Sequence, residues 1–118
     1  MKKQLYISEG SRPLEVKQMF SQWYPFLKME LYRTDARQEG RQKKAEPVTE
    51  KFGRLSLEGF VDVDDDITVA ELIDRLACFG LRTEIFRKSG TVWVETKLTD
   101  NWTLEQQNNA GEEITNHV

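Results

Sequence analysis

The stretch from Ile67 to Lys97 limits the possible folds more than any other part of the chain. Thr68 and Glu71 have the spacing of a capping box, in which the hydroxyl accepts from the backbone of residue 71 and the carboxylate reaches back to residue 68. Val69, Leu72, Ile73, Leu76 and Phe79 recur at three- and four-residue intervals, the period of one buried helical face, while Glu71, Asp74, Arg75 and Cys78 fall on the other side. Gly80 is placed to end that helix in a left-handed conformation. Beyond it, Leu81 to Lys88 and Thr91 to Leu98 alternate with period two around Ser89-Gly90, which predicts a hairpin turning on that dipeptide. In this register Phe86 faces Trp93, Ile85 faces Val94, and Glu84 faces Glu95 with Arg82 and Lys97 diagonally near.

The remaining segments read as layers packed against this unit. Residues 3 to 8 alternate as a strand with Leu5 and Ile7 inward. Ser11-Arg12-Pro13 then offers a capping hydroxyl and a first-turn proline. The helix that follows carries Val16, Met19, Phe20, Trp23, Tyr24 and Leu27 on one face and stops at Pro25. From Leu27 to Thr34 the period is two again, with Leu27, Met29 and Leu31 opposite Lys28, Glu30 and Tyr32. Leu55 to Val63 repeats the pattern, with Leu55, Leu57, Val61 and Val63 inward, Phe60 outward and a bulge expected at Gly59. Between them, residues 35–51 carry Arg37, Arg41, Lys43, Lys44 and Lys51 against Asp35, Glu39, Glu46 and Glu50 with almost no large apolar side chain, and are expected to form a mobile loop. Asp100 to Leu104 suggests one short helical turn, and from Asn108 onward a disordered tail is expected.

These elements predict an α+β fold: a two-layer sandwich with two helices on one face of a mostly antiparallel sheet of four to five strands. Their order is ferredoxin-like, with a final hairpin strand added. A chain of 118 residues suits one domain, here residues 1–107 with the loop at 35–51 and a tail at 108–118. The net charge of -3 argues against a phosphate-backbone partner. The single cysteine, Cys78, excludes an internal disulfide and favours a reducing, cytoplasmic setting. No apolar stretch is long enough to span a bilayer, so no membrane partner is expected.

No constellation carries catalysis. Asp62, Asp64 and Asp66 imitate the first positions of a calcium loop, but Ile67 replaces its glycine and Ile73 its closing glutamate, so the run is better read as favouring the positive end of the following helix. The lone His117 lies beside the C-terminus, and Cys78 lies among acidic neighbours that do not activate a thiol. Glu84 with Glu95, and Arg87 and Lys88 beside Ser89-Gly90, read as a solvated face and a charged turn rather than an acid/base pair or a phosphate site. Catalytic, cofactor and metal residues are therefore assigned to no position, and the chain is expected not to be an enzyme.

The pattern that asks for an explanation is aromatic. Tyr6, Tyr32, Phe60, Phe86 and Trp93 all fall on the otherwise polar side of their strands, one per strand, as a candidate binding set. A patch of that size needs a cover. Three are considered: the segment holding Trp102 and Leu104 folded back over the sheet, a protein partner or second copy, or stacked single-stranded nucleic acid. The last is disfavoured because Glu30, Glu58, Asp62, Glu84 and Glu95 outnumber Lys28, Arg82 and Lys97 on that face. The expectation is a protein-interaction module using the outer sheet face or a strand edge. Its alternative is nucleic-acid binding by the aromatics with the basic loop.

Thr68-Val69-Ala70-Glu71-Leu72, Phe79-Gly80-Leu81, Phe86-Arg87-Lys88-Ser89-Gly90, Trp93, Thr99-Asp100, Trp102-Thr103-Leu104-Glu105 and Gln107-Asn108 together resemble a family of small uncharacterised bacterial proteins. The resemblance covers the last third to half of the chain, and the first strand and helix loosely. It implies a bacterial, cytoplasmic setting, and no activity or ligand comes with it.

Overall fold

The computed structural model describes residues 2–33, 46–47 and 50–117. Along them the chain forms β1 (Gln4–Ile7), α1 (Pro13–Trp23), β2 (Leu27–Arg33), β3 (Glu46–Pro47), β4 (Gly59–Asp62), α2 (Val69–Cys78), β5 (Leu81–Ser89), β6 (Val92–Glu95), a 3-10 turn at Lys97–Thr99, and α3 (Leu104–Asn116). The class is α+β, with antiparallel pairing throughout. α2 starts as its sequence dictates: Thr68 Oγ1 accepts from the Glu71 amide at 3.1 Å, and Glu71 Oε1 accepts from the Thr68 amide at 3.4 Å. Val69, Leu72 and Leu76 are buried, and Gly80, at φ +89°, turns the chain into β5.

The strands do not join into one sheet. β1 and β4 pair by themselves, with Tyr6 opposite Phe60, while the others form a second sheet in the order β3-β2-β5-β6. Most inward residues are where alternation places them, Leu5, Ile7, Leu27, Met29, Leu31, Val61, Val63, Leu81 and Ile85 being all in one buried cluster, whereas Leu57 and Val92 are exposed. Parity names a face, however, and not a neighbour. β4 is shorter than expected; Leu57 is exposed, and Gly59 opens the strand opposite Ile7 in a regular ladder instead of forming a bulge. Most of the loop expected at 35–51 lies outside the described residues. Within it, Glu46 and Pro47 pair with Arg33 and Tyr32.

The hairpin turns one residue later than expected. Ser89 pairs with Val92, so the two-residue loop is Gly90-Thr91, and Trp93 faces Lys88 while Phe86 faces Glu95. The reason is conformational. Gly90 has φ +68° and Thr91 does not share a positive φ, the pattern of a turn with glycine in its first central position. A Ser89-Gly90 loop of the other common type would force Ser89 to positive φ. Glu84 thus avoids Glu95 but faces Glu30, where Lys17 reaches Glu30 at 3.3 Å and Arg82 lies 3.9 Å from Glu84.

α1 buries Pro13, Val16 and Phe20 but leaves Met19 exposed, and its N-cap is Arg12 with no side-chain cap. Ser11 Oγ instead accepts from the Ser8 amide at 3.1 Å. Past the helix end, the buried Tyr24 hydroxyl lies 2.6 Å from the Val63 carbonyl and 2.8 Å from Asp65 Oδ1, one proton between two acceptors. Lys3 completes the group, 2.6 Å from Asp65 and 4.8 Å above the Tyr24 ring. Burial, then Asp65, push the tyrosine pKa well up; the hydrogen bonds from Lys3 and Tyr24 hold the Asp65 carboxyl below its usual range. The acidic run is thereby explained by the first strand as well as by α2: the Lys3 amide bonds Asp64 and the Gln4 side chain bonds Asp62.

A third helix stands where a disordered tail was expected. Thr103 and Gln106 form a second capping box, at 2.9 and 3.1 Å, and α3 runs on to Asn116. The N-termini of α2 and α3 serve each other: Val69 and Ala70 amides donate to the carbonyls of Trp102 and Asp100, and Leu104 and Glu105 amides donate to those of Ile67 and Asp65. Buried Gln107 ties α3 to Thr99 at 2.7 Å and accepts from Arg87 at 3.0 Å, while Asn108 accepts from the Phe26 amide at 2.9 Å. Gly111 allows the close approach, since a Cβ there would sit 2.9 Å from Phe26 Cβ and 3.0 Å from Arg87 Cγ.

Gly111→Ala is therefore expected to destabilise by about 1–3 kcal/mol through overpacking, although helix propensity alone favours alanine by about 0.8–1.0 kcal/mol; urea unfolding gives the sign. The Asp65 linkage predicts an acid effect. Because its folded pKa lies below the unfolded value near 4, its contribution is complete above that pH and is lost as pH falls through the folded pKa. Asp65→Asn should flatten the stability profile below about pH 4.

Candidate interaction surface

The aromatic set divides along the two sheets. Tyr6 and Phe60 lie on the β1–β4 pair, 52% and 66% exposed, with ring centroids 5.0 Å apart. Their position is the closer kind of cross-strand pair: the Val63 amide bonds the Lys3 carbonyl, so the alternate residues 6 and 60 face each other without a ladder hydrogen bond. Tyr32, Phe86 and Trp93 lie on β2, β5 and β6 of the larger sheet. The structure thus places all five at strand positions, but it does not gather them into one continuous face.

The larger sheet holds its aromatics with cations. Lys28 of β2 points its Nζ over both Phe86 and Trp93, at 5.1 and 5.3 Å from the ring centres. Arg82 lies over Tyr32 at 5.7 Å, and the Glu84 carboxylate, with burial second, raises the Tyr32 pKa. Alternating with these aromatics on the same face are Lys28, Arg82 and Lys88 against Glu30, Glu84 and Glu95, a balanced set. Glu58 and Asp62, counted with that face from sequence parity, belong to the segment at and before β4.

The segment holding Trp102 and Leu104 does not cover this surface. Trp102 lies against Arg87, and α3 packs on β5 and β2 through Arg87, Gln107 and Gly111, residues on the side of β5 shared with buried Leu81 and Ile85. Trp93 remains 38% exposed, beside Val92 at 56%. β6 closes one end of the sheet order. Alternation puts Val92 on the inward side with Val94, and no sequence signal marks β6 as an edge, because strand order is not written in alternation.

The described residues also form clefts. One of about 360 Å3 runs between β4 and α2, lined by Phe60, Val61, Asp62, Arg75, Cys78 and Phe79. Arg75 crosses it to the Asp62 carbonyl at 3.4 Å. Another, about 50 Å3, lies beside Ile73, Thr83 and Thr96. Neither is lined by His117, and among the described residues no group of His, Cys, Asp and Glu could hold a metal ion. No helix among them is long and apolar enough to cross a membrane.

A surface pair and a core ring should respond differently to truncation. Phe60→Ala is expected to cost about 0.5 kcal/mol, the scale of a cross-strand pair, against about 3–5 kcal/mol for the buried Phe20→Ala, as measured by thermal or urea unfolding.

Comparison of the chain with protein-family models, with curated proteins and with solved structures finds no match to any of them.

Proposed function

We propose that this is a non-enzymatic, cytoplasmic protein-interaction module that binds through the outer face and edge of its sheets. The observation that carries the reading is Trp93, held by Lys28 on a terminal strand and left open to solvent beside Val92, with the C-terminal helix packed on the other side. Aromatics of this kind supply large contact area at low entropic cost, which is why they are enriched at interfaces. Its frame is the α+β arrangement in which α3 packs on the Leu81 and Ile85 side of the larger sheet and leaves the other side for a partner. The bacterial setting rests on the family resemblance. The nucleic-acid alternative gains no support from a face on which cations and carboxylates balance.

Photo-crosslinking residues placed singly at Tyr6, Trp93 and Leu14 test the reading in cells. Leu14 is the control, an exposed apolar residue of α1. A protein adduct at Trp93 or Tyr6 and none at Leu14 is the expected result. Adducts at Leu14 alone, or at no position, overturn it.

A further inference from the structure

Among the described residues no strand pairs with the outer edge of β6. Thr96 donates its amide to the Ile85 carbonyl, so residues 92, 94 and 96 direct their backbone groups to β5, and the alternates Thr91, Trp93 and Glu95 direct theirs away from the sheet. Edges of this kind are ordinarily blunted by proline, by lysine or by a bulge. The opposite side of the sheet is treated that way, since β2 is flanked there by a two-residue strand ending in Pro47, which has no amide hydrogen. The strand Val92-Trp93-Val94-Glu95 has no proline, lysine or bulge, and its single charge, Glu95, stands at its end.

We infer that β6 pairs antiparallel with β6 of a second copy of this chain, about a two-fold axis at Trp93, to join two sheets into one. The proposal rests on the reading above and names its partner. Self-complementarity selects the second copy. An antiparallel pair that matches faces and uses outward backbone groups can centre on Trp93 or on Val94. Centred on Trp93, it sets Trp93 against the partner's Trp93 on the outer face. Val92 meets the partner's Val94 on the other face, twice over by symmetry, and Glu95 meets the partner's Thr91. Like charges stay apart, since Glu95 and the partner's Glu95 are then four residues distant along the strands, on the order of 13 Å. Centred on Val94, Trp93 would face the partner's Glu95, and the two carboxylates would be diagonal neighbours at about 7–8 Å. The first register matches apolar with apolar at three successive pairs, and Leu98, 99% exposed, follows just past the seam.

Sedimentation velocity over a concentration series reads the assembly. The mass should rise from 13.8 kDa toward twice that value, with a dissociation constant of about 10–100 μM for so short a seam. Glu95→Pro removes an outward amide without touching the β5 ladder, and should weaken dimerisation at least about tenfold. Register is read in a Cys78→Ser background under mild oxidation. Val92→Cys mixed with Val94→Cys should give the mixed disulfide, and Val94→Cys alone should give none. A monomer at every concentration, a dimer indifferent to Glu95→Pro, or self-linking of Val94→Cys in place of the mixed product overturns the proposal. A strict monomer that still crosslinks to another protein through Trp93 overturns the second copy alone; one that crosslinks to nothing overturns the interaction reading too.

Discussion

The structure depends on two helix N-termini that meet and satisfy each other. A helix start leaves amide groups without intrahelical acceptors, and two starts brought together would present matching partial positive charges. Here the first amides of α2 find carbonyls just before α3, and the first amides of α3 find carbonyls just before α2, with a capping box completing each. Asp65, Asp66, Glu71, Asp100 and Glu105 lie in or beside the segments joined by these four hydrogen bonds and offset the charge. The acidic run that imitates a calcium loop is thus accounted for without an ion: its backbone receives α3, and its side chains hold the first strand and Tyr24.

This seam also explains what could be read from the sequence and what could not. α2 was legible because three signals coincide on it, a capping box, an apolar stripe and a terminal glycine. α3 carries only the first. After Leu104 its inward positions are Gln107 and Gly111, so no apolar period marks it. The helix is held instead by Gln107, which donates to Thr99, by Asn108 and Thr115, which accept from the Phe26 and Gly90 amides, and by a close approach at Gly111 that a side chain would block. Such a helix is invisible until its partners are known, because most of its anchors, to Phe26, Arg87 and Gly90, join residues 20 or more apart in the chain.

The sheets show the same division between local and long-range information. Alternation identified the buried side of β1, β2 and β5, where every residue it set inward from Leu5 to Ile85 is buried, but not of β6, where Val92 is exposed. It carried no information on pairing, so the separation of β1–β4 from the rest had no sequence sign. The hairpin register is an intermediate case. Its turn type depends on the sign of φ at one residue, and the shift moved both members of each pair by the step that keeps parity, so Phe86 and Trp93 stayed on one face while every opposite neighbour changed.

The five aromatics are consequently not equivalent. A two-stranded sheet is marginal in water on its own, and the tilted Tyr6–Phe60 ring pair gives β1 and β4 a cross-strand contact that helps them hold together. Tyr32 has Arg82 over its ring and Glu84 beside its hydroxyl. Phe86 is flanked by β2 and β6 and partly covered by Lys28. Each of these has work to do inside the monomer. Trp93 shares Lys28 on one side but faces open solvent on the other, on a strand whose outward amides and carbonyls have no acceptor or donor among the described residues. An indole and an unpaired strand edge at the same place are two separate departures from what a monomer needs, and one partner strand would resolve both.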